Sequence, residues 1–259
     1  MRENPINTLK LEAQAIRSRD FTLIELLIVV AIIAILLSIL LPSLRHAREK
    51  AYMAVCGSQL SQQSRGLNLF MKDENSFYPG AHTQHELQNM VWAPSIKVYL
   101  NNYEVFNCPK QKPEFNWSYK EETKSQLRLP ANYGYKENEN RIWYREGFGY
   151  GMNDRGINGW QTNQSQWGLG GWIDTRGRVS HNRLVNPAEM ISIADSNSNN
   201  LFDYVIDPTN PLEHPGDRHY GGAMVLFADG RVEYKKKSNL VNLSDAVRKL
   251  WNNENIAFP

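Results

Sequence analysis

Few side chains in this sequence have a type and spacing suited to chemistry. Glu25 is the only charge in the run from Phe21 to Leu41. An ionisable group in so apolar a stretch costs a few kcal/mol and usually has a partner. Cys56 and Cys108 are the two cysteines, too few for a disulfide scaffold and without the spacing of a metal knuckle. His214, His219 and Asp229 offer a two-histidine, one-carboxylate donor set; the plainer reading has His219 hydrogen-bonding backbone beside a strand entry. Asp195-Ser196-Asn197-Ser198-Asn199 presents oxygen side chains at alternate positions, as the first half of a calcium loop does, with Asp203 and Asp207 nearby. No glycine follows Asn199, and Ile206 stands where a bidentate glutamate is required, so the EF-hand match fails. The default is a solvated turn with no cofactor and no metal, and calcium in another loop geometry is the alternative. No Gly-rich phosphate loop follows a strand, and no Gly-x-Ser-x-Gly or His-Glu-x-x-His occurs. Trp143, Trp160, Trp167 and Trp172 lie in a stretch dense in Gly, Asn and Gln. Their rings either stack on sugars or, more simply, pin a long loop to a small core.

The elements that must position these groups start with the apolar run itself. About 20 apolar residues cross the hydrocarbon core of a bilayer as a helix, so Phe21–Leu41 is long enough. It is too long for a signal-peptide h-region, and no small-residue cleavage site follows it. Past Pro42, Leu44, Ala47, Ala51 and Ala54 recur at helical spacing. A second stripe, offset from the first, runs Met53, Cys56, Leu60, Leu67 and Phe70. One helix over 21–72 is expected, bent at Pro42, weakened at Gly57 and Gly66, and ended by Asp73-Glu74-Asn75-Ser76. Its second stripe is where a folded domain docks.

Beyond the helix, Val91 to Val105 holds a short amphipathic segment with Trp92, Ile96, Tyr99 and Leu100 as candidate core. Residues 110–140 read as loop. Met190–Asp195 reads as a short strand. Ala223–Ala228 and Arg231–Lys235 flank Asp229-Gly230, the signature of a hairpin with a two-residue turn. That loop pairs Phe227 with Val232 and Val225 with Tyr234 on one buried face, and leaves the other face half polar. Ser244–Trp251 reads as a closing helix. The net charge of +2 gives no strong field toward nucleic acid or an acidic substrate.

Phe21-Thr22-Leu23-Ile24-Glu25 and the apolar run after it resemble the N-terminal processing and methylation motif of type IV prepilins and type II secretion pseudopilins. In that family a peptidase cuts before the Phe, the new amine is methylated, and a Glu lies four residues on. Glu25 and Pro42 stand at the family's offsets. Asp20 departs from the pattern, because the family usually has Gly before the cut. Arg218-His219-Tyr220-Gly221-Gly222, followed by Leu226–Gly230, resembles the His, nine residues, Asp-Gly pattern near the C-terminus of a pseudopilin-like family. Cys108-Pro109 and Tyr150-Gly151-Met152-Asn153 are similar to other short motifs of that family.

The resemblance implies cleavage between Asp20 and Phe21, N-methylation of Phe21, and a role for Glu25 in assembly. It implies a single-pass protein of the inner membrane, N-terminus cytoplasmic and the rest periplasmic. Prepilin peptidase, other pilin subunits, an inner-membrane assembly platform and the bilayer are the implied partners. In that oxidising compartment, Cys56, on the helix face expected to meet the domain, is expected to bond Cys108. His219, Asp229 and Gly230 are expected to be structural. The expected architecture is α+β and pilin-like: a leader over 1–20, a transmembrane and assembly helix over 21–72, and a small antiparallel-sheet domain over 73–259. The expected function is that of a structural, non-enzymatic subunit of a secretion or pilus-like fibre. The rival is a membrane-tethered glycan-binding or hydrolase domain that uses the helix only as an anchor.

Overall fold

The computed structural model describes residues 21–80, 83–85, 88–90, 92–102, 104–113, 148–154, 156–157, 167–170, 179–197, 199, 203–242 and 244–256. The leader with Asp20, most of the 110–140 loop, and Trp143, Trp160 and Trp172 lie outside the described residues. Two compact units divide the chain between His46 and Ala47.

In the first unit, helix α1 (Leu23–Asp73) begins. Its start is set by a reciprocal pair. The Thr22 backbone N–H and hydroxyl donate to Glu25 Oε2 at 2.9 and 2.8 Å, and the Glu25 N–H donates back to Thr22 Oγ1 at 3.3 Å. This is a capping box, which satisfies N–H groups that have no intrahelical partner. The apolar side chains from Leu23 to Leu44 are exposed. Among the described residues, α1 alone is long and apolar enough to cross a membrane. The Ser38 and Ser43 hydroxyls donate back to the Ile35 and Leu40 carbonyls at 2.7 and 2.8 Å, so neither brings an unpaired donor into the apolar stretch. Pro42 lies inside the helix, where it leaves the Ser38 carbonyl without its usual donor.

In the second unit, α1 buries Cys56, Leu60, Gln63, Gly66, Leu67 and Met71, with Met53 and Phe70 packed beside them. The Ala47, Ala51 and Ala54 stripe is exposed. Gly66 has a packing reason: an added Cβ would lie 3.0 Å from Leu100 and 3.3 Å from the Ile96 carbonyl. The helix closes with the Ser76 N–H on the Met71 carbonyl at 2.7 Å, and positive φ at Asn75 and Ser76 stops propagation. The unit boundary falls within α1, and the second half of the helix is part of the core.

Strands β1 (Thr83–His85) and β2 (Gln88–Met90) form an antiparallel pair, followed by α2 (Trp92–Leu100). Strands β3 (Tyr150–Met152), β4 (Ile191–Asp195), β5 (Gly222–Phe227) and β6 (Val232–Lys236) make a four-stranded antiparallel sheet in the order β3-β4-β5-β6. Short helices α3 (Ser238–Val241) and α4 (Asp245–Lys249) end the fold. One sheet face, through Met152, Ile193, Met224 and Leu226, packs on Cys56, Leu60 and Leu67 of α1 and on Trp92 and Ile96 of α2. The other face, through Ile191, Ala194, Val225 and Phe227, packs on Leu240, Val247 and Trp251. A register irregularity between Ile191 and Ile193 sends these two residues to opposite faces.

The architecture is α+β and pilin-like, a long N-terminal helix with a small antiparallel sheet. The hairpin corrects the expected register. Leu226 pairs with Val232 and Met224 with Tyr234, one residue off the two-residue-turn pairing. The Gly230 N–H donates to the Phe227 carbonyl at 3.0 Å, and the Phe227 N–H donates to the Arg231 carbonyl at 2.8 Å. The loop is thus three residues long, with Gly230 at φ 91°, a turn followed by a left-handed residue. That slip exchanges the faces of β5. Met224 and Leu226 share a face with Tyr234 and Val232 and meet α1, while Val225 and Phe227 meet the C-terminal helices.

Candidate functional site

The sequence motifs converge on one buried cluster in the second unit. Cys56 comes from the buried face of α1. Cys108 follows a 3₁₀ turn (Glu104–Phe106) held to the same helix: Gln59 Nε2 donates to the Glu104 and Asn107 carbonyls at 2.7 and 3.0 Å, and Gln63 Nε2 donates to the Val105 carbonyl at 2.5 Å. Gly149 admits this loop, since a Cβ there would meet the Phe106 carbonyl at 2.5 Å and the Cys108 nitrogen at 2.8 Å. Asp195 ends β4. His219 precedes β5 and is fixed by reciprocal backbone hydrogen bonds with Gly222 at 3.1 and 2.9 Å.

The donor atoms of Cys56, Cys108, Asp195 and His219 all lie within 4.8 Å of one another. Each of the four residues is at most 1% exposed. The Cys56 and Cys108 sulfurs are 2.9 Å apart and unbonded. His219 Nε2 lies 3.5 Å from Cys108 Sγ and 3.6 Å from Asp195 Oδ2. Asp195 Oδ2 accepts the Met224 N–H at 2.8 Å, and Oδ1 accepts Arg218 at 3.3 Å. Arg218 also donates to the Gly149 carbonyl at 2.6 Å. The Tyr150 hydroxyl donates to Gln59 Oε1 at 2.5 Å.

Electrostatics separate the two thiols. The Cys56 contact, His219 and Arg218 pull Cys108 well below the usual thiol range, while the Cys108 contact and burial push Cys56 up. Burial pushes the Asp195 carboxyl up to about 6, with the Arg218 and His219 charges pulling the other way. Burial also raises the Tyr150 phenol. Two adjacent sulfurs, an imidazole and a carboxylate can form a disulfide or ligate a soft or borderline metal ion. They lie inside the core, with no exposed member.

The cluster brings together four residues singled out from the sequence, Cys56, Cys108 and His219, with Asp195 from the candidate calcium loop. Two others stand apart. Asp229 sits in the hairpin turn, its Oδ1 accepting the Arg231 N–H at 3.0 Å, and His214 is half-buried elsewhere, its pKa lowered first by burial. The two-histidine set with Asp229 is therefore corrected: Asp195 is the carboxylate beside His219. The same position removes Asp195 from the calcium-loop series, because it is a core residue of β4 rather than a loop oxygen. Among the described residues the His219 ring does not hydrogen-bond backbone as expected; Nδ1 meets no partner there and Nε2 faces the cluster. Asp195 was read from sequence as a calcium-loop oxygen rather than as a partner of His219, and Arg218, quoted only within a motif, is the site residue missed. A carboxylate closing an otherwise apolar strand was the available signal for Asp195. Asn153, the last residue of the Tyr-Gly-Met-Asn motif, ties the sheet to the C-terminus by donating to the Ile191 and Trp251 carbonyls at 3.0 and 3.1 Å. Gly151 leaves room for the Val205 carbonyl, 2.6 Å from where a Cβ would stand.

No family model and no solved structure matches the chain. It is similar to the type II secretion system core protein G of Klebsiella pneumoniae, 32% identical over 118 residues, which are 46% of this chain and 79% of the relative. The chain belongs to this pseudopilin family. It is likewise similar to the core protein G of Escherichia coli strain K12, 31% identical over 101 residues, 39% of this chain and 68% of the relative. A type IV wide pilus major component, PilA4 of Thermus thermophilus, is 43% identical over 60 residues, 23% of this chain and 46% of that protein. This pseudopilin is thus a pilin-like structural subunit, membrane-anchored through one helix, and not an enzyme. The tethered-hydrolase reading loses to these relatives.

Proposed function

We propose that this pseudopilin is cut by a prepilin peptidase between Asp20 and Phe21, methylated at the Phe21 amine, and assembled with other pilin subunits. It is held in the inner membrane with its folded unit on the periplasmic side, and an inner-membrane platform adds it to the fibre. The observation that carries the reading is α1 from Leu23 to Leu41: an exposed apolar surface whose one charge is the carboxylate at its first turn. Exposed apolar area on that scale requires lipid or the same surface of a neighbour. Glu25, which caps its own helix through Thr22, lies one turn from the Phe21 amine created by the cut. In a bundle of such helices it offsets that amine or a neighbour's.

Glu25→Gln keeps length and apolarity, so membrane insertion survives. Crosslinking between subunits in the membrane falls at least about tenfold, the equivalent of one charge interaction of roughly 1.4 kcal/mol. The mass of the N-terminal peptide from the same sample reads the cut, and it begins at Phe21. Equal crosslinking of wild type and Glu25→Gln defeats the assembly role. Recovery of intact Met1–Asp20 in cells with active peptidase defeats the processing.

A further inference from the structure

We propose that, in its dithiol form, the protein binds one zinc ion through Cys56 Sγ, Cys108 Sγ, Asp195 Oδ2 and His219 Nε2. Four separate elements deliver these atoms to one point: α1, the loop after the 3₁₀ turn, the end of β4 and the approach to β5. All four donors lie within 4.8 Å of one another, and their residues are 0–1% exposed. Two sulfurs with one nitrogen and one oxygen are a donor set zinc accepts, and four protein ligands is the number found in closed, structural sites.

The spacing suits a tetrahedron. Bonds of about 2.0–2.3 Å place ligand atoms about 3.3–3.8 Å apart. The Cys108–His219 and His219–Asp195 separations are 3.5 and 3.6 Å. The sulfurs, at 2.9 Å, open by less than about 1 Å to the same spacing.

Charge balance favours the ion. Zinc with two thiolates and the Asp195 carboxylate carries one net negative charge, and Arg218, 3.3 Å from Asp195 Oδ1, cancels it. The buried site is then neutral, so both thiols can give up their protons to solvent on binding without leaving an uncompensated charge in the core. An outer layer is already in place. The Met224 N–H on Oδ2 at 2.8 Å and the Arg218 guanidinium on Oδ1 orient the carboxylate, as second-shell hydrogen bonds do at metal sites. His219 is held by its backbone pairing with Gly222, with Nε2 already facing Cys108 Sγ and Asp195 Oδ2. A Cys56–Cys108 bond uses the same two sulfurs, so the disulfide-bonded and zinc-bound forms exclude each other.

The test uses the full chain purified in detergent, reduced with a phosphine, stripped with chelator and titrated with zinc chloride or cobalt chloride. One equivalent of zinc binds and raises the unfolding temperature. Cobalt gives thiolate charge-transfer absorption and the visible bands of a tetrahedral ion. His219→Ala and Asp195→Asn each weaken zinc at least about tenfold, the lower end of what even outer-shell changes cost. His214→Ala and Asp229→Asn bind as wild type. The proposal is overturned if reduced wild-type protein takes up less than one equivalent, or if bound cobalt shows no thiolate band. It is also overturned if His214→Ala weakens zinc as much as His219→Ala. The wild-type cobalt spectrum needs no variant to fold, and none of these readings depends on fibre assembly.

Discussion

Cys56 was legible from sequence because it shares a helical stripe with Leu60 and Leu67, and that stripe is the one buried against the sheet. Its sulfur lies 2.9 Å from Cys108, so a bond needs only a small approach. We predict that protein isolated without reductant carries the Cys56–Cys108 disulfide, which in the chain-entropy model contributes roughly 4 kcal/mol. Alkylation before and after reduction, followed by peptide mass mapping, checks it; two alkylated thiols in the non-reduced sample would count against it. His219 was recognised but given the wrong partner. Asp229 is near in sequence, yet it sits in the hairpin turn. Asp195 lies two residues from Ile193, on the face that meets α1, and that parity depends on the irregularity between Ile191 and Ile193. A bulge of this kind leaves no mark in the pattern of apolar residues, so strand end and loop start looked alike. Arg218 was quoted within a motif, but its role needs the Gly149 carbonyl and Asp195 side by side, which only the fold provides.

Elements with a strong period were read well. The second half of α1, the short helix α2 with Trp92 and Ile96 inward, strand β4 and the strand–turn–strand of β5 and β6 all follow from apolar spacing. The register of the hairpin did not. Asp229-Gly230 favours a two-residue loop, and both candidate registers bury apolar side chains, so pattern alone could not choose between them. The fold decides it because both faces of β5 are covered: Leu226 and Met224 on the α1 side, Phe227 and Val225 on the side of Leu240 and Trp251. The Ala228 N–H also donates to the Met190 carbonyl at 2.8 Å, which ties the loop to the start of β4. Gly230 carries the cost of this geometry, with φ of 91° and a Cβ position 3.2 Å from Ser64 Oγ. Gly230→Ala should destabilise the second unit by about 1–3 kcal/mol, read as a lower midpoint in chemical denaturation with an unchanged slope. An unaltered midpoint would mean that the loop rearranges to the two-residue form.

Burial partitions the molecule more sharply than sequence did. Every residue from Phe21 to Arg48 is exposed, and both core clusters begin at Cys56 or later. The pattern of apolar residues runs through Pro42 without showing where packing takes over, so a domain boundary at the helix end was the natural expectation. The second compact unit starts within the helix, at Ala47. Among the described residues its core clusters begin at Cys56, and the ion pair of Lys110 with Glu49 at 2.6 Å lies within it. A chain beginning at Ala47 should therefore fold without detergent. Shortening α1 there exposes a new first turn whose N–H groups water can satisfy, while the contacts of Cys56, Leu60, Leu67 and Met71 remain. It also removes the exposed apolar surface that would otherwise drive association, together with Glu25. Such a chain should elute as a monomer in gel filtration, unfold cooperatively on heating, and fail to crosslink to full-length subunits in the membrane. Aggregation, or a melt without a cooperative transition, would show that the apolar half of α1 supports the fold as well as the assembly.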